Sequence, residues 1–171
     1  MQTKYCKRCG QTLPIDQFHK SKRGGDGHAF YCKGCVYKMG KKYRHTADGI
    51  FSTSKSRQTY YHKHNLPGAK PFEINRRWFR EFYDTQPKKC CYCDIPEEYM
   101  KHVTGEFGVH GEQLSMDCID NNKGYVVGNI ALSCHRCNNT KSVLFTFDEM
   151  REIGQRYIKP KWQKIVGEKI E

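Results

Sequence analysis

The sequence predicts an α+β protein of small zinc-stabilised modules joined by a basic, largely helical arm, and three observations carry that prediction. Eight of the ten cysteines fall into Cys-x-x-Cys pairs. Mean hydropathy is −0.86 and only 37% of the 171 residues are hydrophobic, which is thin for one large apolar core and calls for staples. Lys and Arg outnumber Asp and Glu by 30 to 18, a net charge of +12.

The pairs are Cys6/Cys9, Cys32/Cys35, Cys90/Cys93 and Cys134/Cys137. Two intervening residues let a tight knuckle aim both sulfurs at one ion about 2.3 Å away, and two knuckles close a tetrahedron. Sequential pairing gives two sites, each expected to hold one structural Zn²⁺. Closed thiolate cages hold a fold and leave no open position for chemistry. The N-terminal MQTKYCKRCG is charged and carries no signal-peptide pattern, so an intracellular location is expected and metal ligation is favoured over disulfides. No apolar run approaches the roughly 18 residues of a membrane span, and no membrane partner is expected. Cys91 and Cys118 stand outside the pairs.

Three regions follow along the chain. Residues 1–36 form the N-terminal four-cysteine module, with Phe18 and Phe30 as its expected small core and Lys20–Gly27 as a glycine-rich hairpin loop. Residues 37–70 are the arm. Lys38, Lys41, Lys42, Arg44, Lys55 and Arg57 alternate there with Tyr37, Tyr43, Tyr60 and Tyr61, as in a nucleic-acid contact surface where cations meet phosphates and rings stack; a solvated helical connector is the competing reading. Residues 71–171 hold the second cysteine site. Ile74, Trp78 and Phe82, widened by Phe79 and Tyr83, predict an amphipathic helix over 73–86. Thr146 and Glu149 form a capping box opening a helix with Met150, Ile153 and Tyr157 on one face, which Pro160 should end.

The stretch with chemical content is LSMDCIDNNKGYVVGNIALSCHRCNNTKS, residues 114–142. Leu114–Ile119 reads as a strand with Asp117 near its end. Asn121 to Gly124 is a turn, Tyr125–Val127 is extended, a second apolar run follows, and a helix starts near Asn138. Strand, loop, strand and helix would bring Asp117, Asn129 and Asn138 together.

That pattern, with Cys-x-x-Cys ahead of it and Cys-x-x-Cys-Asn-x-x-Lys at its end, resembles the HNH endonuclease family, particularly its small phage-type members with zinc knuckles. The resemblance spans roughly residues 88–155, and such relatives commonly carry an N-terminal zinc module like residues 6–35. It implies a ββα-metal, treble-clef-like nuclease domain and hydrolysis of DNA phosphodiester bonds at a single Mg²⁺ or Mn²⁺. Asp117 matches the acidic metal ligand and Asn138 the final ligand, supplied from the helix. Asn129 matches the residue that holds the loop and orients the base, and Lys141 would contact the phosphate backbone. The family's usual base is His, and here that position is Cys118, a poor base at its ordinary pKa. Asp120, His110 and His135 are the nearest other groups in sequence that could take the proton.

Three readings stay open on sequence: a metal-dependent DNA endonuclease, a zinc-stabilised nucleic-acid-binding protein with a degenerate site, and a protein-binding zinc adaptor. The adaptor accounts for the knuckles but not for the charge or the Asp117, Asn129 and Asn138 set. DNA is the expected partner, RNA offers the same backbone chemistry, and a homodimer would decide between nicking and double-strand cutting.

Overall fold

The computed structural model describes residues 2–103 and 111–170. It divides into two compact units, one ending at Thr46 and one beginning at Ala47. The boundary falls inside the stretch 37–70, which therefore contributes a helix to each unit.

In the first unit β1 (Thr3–Tyr5) pairs antiparallel with β2 (Thr12–Pro14), and the first knuckle is the connection between them. Gly10 leaves that knuckle at φ +70°, a left-handed turn that glycine adopts without strain. Next come β3 (Phe18–Lys20) and β4 (His28–Cys32), a hairpin across the expected glycine-rich loop. Then α1 (Lys33–Arg44) starts with Cys35 in its first turn. Cys6, Phe18, Cys32 and Cys35 fill the interior. Phe30 differs from its expected core role. It is 45% exposed, outside an interior already filled by sulfur and Phe18, and the Lys7 ammonium sits 5.1 Å over its ring.

The second unit opens with α2 (Ala47–Lys63), which buries Ile50 and Phe51, and continues to α3 (Arg76–Thr85). Asn75 caps α3 by accepting from the Trp78 amide at 2.9 Å. The buried line of α3 runs through Phe79 and Tyr83, whereas Trp78 and Phe82 lie at its margin with stacked rings 5.2 Å apart. A short α4 (Met100–Val103) precedes β5 (Ser115–Cys118). Strand β5 pairs antiparallel with β6 (Ile130–Ser133) in the register Asp117↔Ala131, and α5 (His135–Lys141) follows directly. The last knuckle is itself the opening turn of α5, since the Cys134 sulfur caps the Cys137 amide, so the helix begins earlier than the expected Asn138.

Helix α6 (Phe147–Ile153) has the predicted capping box between Thr146 and Glu149. It does not stop at Pro160. A π-helical turn over Gly154–Ile158 leads into α7 (Lys159–Ile170), so Pro160 lies in the opening turn of a new register, where no amide donor is required. The inserted residue also rotates the face: Ile158 is buried and the expected Tyr157 is 55% exposed. At the junction, Gly154 lies so close to the Cys90/Cys93 knuckle that an added Cβ would meet the Tyr92 backbone at 2.7 Å.

Candidate functional site

Two groups of four cysteines converge, Cys6/Cys9/Cys32/Cys35 and Cys90/Cys93/Cys134/Cys137, with all sulfurs of a group within 4.8 Å of one another. A tetrahedron with Zn–S near 2.3 Å requires sulfurs about 3.8 Å apart. Cys6 and Cys35 are 3.9 Å apart, as are Cys93 and Cys134. Amides of Cys32, Tyr92 and Cys137 donate to sulfurs at 3.3–3.4 Å, which favours the thiolate form. The donor set and its spacing thus fit structural zinc in both cages. The Trp162 indole donates to the Cys93 carbonyl at 3.0 Å, tying α7 to the second cage.

Beside that cage lie β5, β6 and α5. Asp117 is 6% exposed. Its Oδ2 accepts from the Tyr92 hydroxyl at 2.7 Å, and Lys141 Nζ lies 3.8 Å from Oδ1. Burial pushes the Asp117 pKa above the ordinary carboxylate value, with the Tyr92 bond and the Lys141 charge pulling against it. Lys141, expected at a phosphate backbone, is instead wholly buried. It donates to the Cys118 carbonyl at 2.8 Å and to Asn121 Oδ1 at 3.2 Å, because its stem runs inward from α5 toward β5. Lys70 donates to the same Asn121 oxygen at 2.6 Å.

Asn129 is 5% exposed and clamps the loop after β5. Its Oδ1 accepts from the Asp120 amide at 2.8 Å, and its Nδ2 donates to the carbonyls of Asp120 at 2.8 Å and Gly124 at 2.7 Å. Gly124 has φ +72°, and a Cβ there would meet the Pro71 carbonyl oxygen at 2.7 Å, so side-chain-free backbone is needed twice over. Asn138 donates to Ser115 Oγ at 3.1 Å and the Met116 carbonyl at 3.3 Å. Asp117 and Asn138 are therefore both seated along β5, one on the strand and one reaching it from α5.

Of the remaining candidates, Cys118 is fully buried, and that burial pushes its thiol up to about 11. Asp120 is 40% exposed at its side chain, caps the Asn122 amide at 2.9 Å and lies 3.8 Å from Lys123. His135 Nδ1 lies 3.0 Å from the Asn139 amide on the same helix. His110 falls outside the described residues. Sequence reasoning misses Tyr92, Lys70 and Asn121, and only the location of Tyr92 inside a knuckle hints at its place.

The arm cations sit on two separate helices. Lys38, Lys42 and Arg44 are exposed on α1 with Lys41 partly so, alongside Tyr37 at 65% exposure; Lys55 and Arg57 are exposed on α2 with Tyr60 at 55%. Among the described residues no helix is long and apolar enough to cross a membrane.

No family model matches the chain, and no curated protein matches it. Among solved structures it is similar to the rare-cutting HNH restriction endonuclease PacI, in a structure concerned with that enzyme's perturbation of DNA. The two are 25% identical over 94% of this chain and 96% of that one, with a TM-score of 0.49.

Proposed function

We propose that this chain is a metal-dependent DNA endonuclease that hydrolyses phosphodiester bonds at the β5–β6–α5 unit. One observation carries the reading: Asp117 lies on β5, and Asn138 reaches the same strand from α5 through Ser115 and Met116, with Asn129 clamping the loop that follows β5. An anionic and a neutral oxygen donor make a set that suits a hard ion such as Mg²⁺ or Mn²⁺, which thiolate cages would not select. Asp117 and Asn138 would hold it. When bound, such an ion supplies charge stabilisation to the phosphorane-like transition state and the leaving oxygen. Asn129 keeps the loop from Asp120 to Gly124 in one shape. Asp120 and His135 are the described candidates for taking the proton of the attacking water, since neither is sealed in the interior as Cys118 is. The cations of α1 and α2 bind the backbone of DNA, and of RNA by the same chemistry. A homodimer would cut both strands and a monomer would nick. An intracellular location accords with thiolate cages.

The test is cleavage of supercoiled plasmid with Mg²⁺, with Mn²⁺ and with neither, comparing wild type, Asp117→Asn and Asn138→Ala. Nicking that needs the ion and is lost in both variants supports the reading. Uncut plasmid with bound DNA would sink it.

That second outcome has its own support. The buried Lys141 ammonium already faces the Asp117 carboxylate, and the usual base position is a sealed thiol. Both features favour a zinc-stabilised nucleic-acid-binding protein whose hydrolytic site has been closed by an internal cation.

A further inference from the structure

Immediately after α5 the chain makes a turn over residues 142–145 whose tip is apolar and open to solvent. Leu144 is 78% exposed and Val143 is 66% exposed. Exposed aliphatic residues are ordinary when single. An adjacent pair at a turn tip, in a chain this polar, is less so.

The turn is held stiffly. Ser142 sits at φ +46° and ψ −131°, a strained combination normally left to glycine. Its carbonyl accepts from Asn121 Nδ2 at 3.0 Å. The Lys141 carbonyl accepts from the amides of both Leu144 and Phe145 at 3.1 Å. Phe145 turns inward against the core, and Phe147 packs on Tyr92 with ring centroids 5.1 Å apart. The strain is thus spent on aiming two aliphatic side chains outward from a fixed base.

That base belongs to the proposed site. Asn121, which grips Ser142, is also the acceptor for Lys141 and Lys70, and Lys141 faces Asp117. Two side chains, Lys141 and Asn121, therefore link the carboxylate to the projecting turn. Exposed Lys123 lies on the same loop as Asn121.

We propose that Val143 and Leu144 form an apolar wedge that enters a base step of duplex DNA beside the site, unstacking it as DNA is bound. Aliphatic wedges on a positively charged protein fit this partner: phosphates meet the cations while the side chains replace lost base stacking. Pyrimidine–purine steps, which unstack most easily, are the expected points of entry. The placement of the wedge beside the cutting site rests on the proposed endonuclease reading; the wedge itself is read without cleavage.

The experiment uses the full chain and duplexes carrying 2-aminopurine at TA and CA steps, with divalent ions omitted so that binding is separated from hydrolysis. Wild type should raise 2-aminopurine fluorescence on binding, and Val143→Ser/Leu144→Ser should bind about tenfold more weakly, the scale of one buried aliphatic side chain, without raising it. Both residues are at the surface, so the variant should keep the wild-type melting temperature and zinc content. An equal rise in wild type and variant, or saturated binding without any rise, would overturn the wedge. Absence of DNA binding would overturn both the wedge and the endonuclease. A fluorescence rise lost in the variant, on a protein that never cuts plasmid, would uphold the wedge and sink only the endonuclease. Sedimentation of both proteins covers the remaining occupant: a dimer lost in the variant, with 2-aminopurine fluorescence unchanged, would assign the turn to a second copy of this chain instead.

Discussion

The ammonium of Lys141 lies 3.8 Å from the carboxylate of Asp117, with the two side chains 0% and 8% exposed. A buried pair of this kind is costly to break from one side, because the surviving charge is left without a partner; the penalty is about 3–5 kcal/mol. Lys141→Met should lower unfolding stability by that order, measured by urea denaturation at neutral pH. The sign with pH follows from Asp117, whose pKa is already raised by burial and would rise further without Lys141. Above that pKa the variant carries an unpaired carboxylate and the full penalty. As pH falls through it the carboxyl becomes neutral, so the gap to wild type should narrow toward mildly acidic pH. A gap independent of pH would mean that the lysine acts through its bonds to Cys118 and Asn121 alone.

Zinc content should be two per chain, read by elemental analysis. Cys6→Ser and Cys90→Ser should each lose one, because each cage needs four thiolates. The consequences should differ. The Cys90 cage is part of the larger core, with Tyr92, Phe79 and Leu114, so its loss should abolish cooperative unfolding of the second unit. Loss of the Cys6 cage should leave that unit's transition in place. A strong chelator should reproduce both losses together.

Gly154→Ala should destabilise the second unit by about 1–3 kcal/mol, since the new methyl group meets the Tyr92 backbone, which has no side-chain freedom with which to give way. Gly167 on α7 has nothing within 4 Å of an added Cβ. Gly167→Ala is the control, expected to be neutral or slightly stabilising through helix propensity.

Binding to random-sequence duplex should weaken steeply with salt. Replacing Lys38 and Lys42 with Gln should shallow the log–log salt slope by about 0.9 for each phosphate that is no longer neutralised. Lys141→Gln should leave the slope unchanged in whatever fraction remains folded, because a wholly buried ammonium releases no counterion. An unchanged slope for the α1 pair would locate the DNA-binding surface elsewhere.

What the sequence determined by itself was mostly what short-range spacing sets, although the Cys134 cap that opens α5 before Asn138 went unread. Two residues between cysteines suit a tight knuckle, and four such pairs in sequence make two sites, so both cages could be read from the chain. Thr146 and Glu149 lie within one helical turn, so their capping box was legible too. The short strand Leu114–Ile119 carrying Asp117 and the turn at Asn121–Gly124 likewise located the strand–loop–strand unit. Tertiary structure decided what depends on which surfaces meet. The sequence has a lysine one turn after Asn138, but only the seating of α5 on β5 turns Lys141 inward to Asp117 rather than outward to a phosphate. Pro160 is a helix breaker by its covalent geometry, yet the close approach of Gly154 to Tyr92 accompanies a π turn that shifts the register and lets the helix run on. Tyr157 and Ile158 exchange faces for the same reason. The local chain fixes the knuckles, caps and turns because their partners are three or four residues away; burial and ion pairing are fixed by residues tens of positions apart, which only packing brings together.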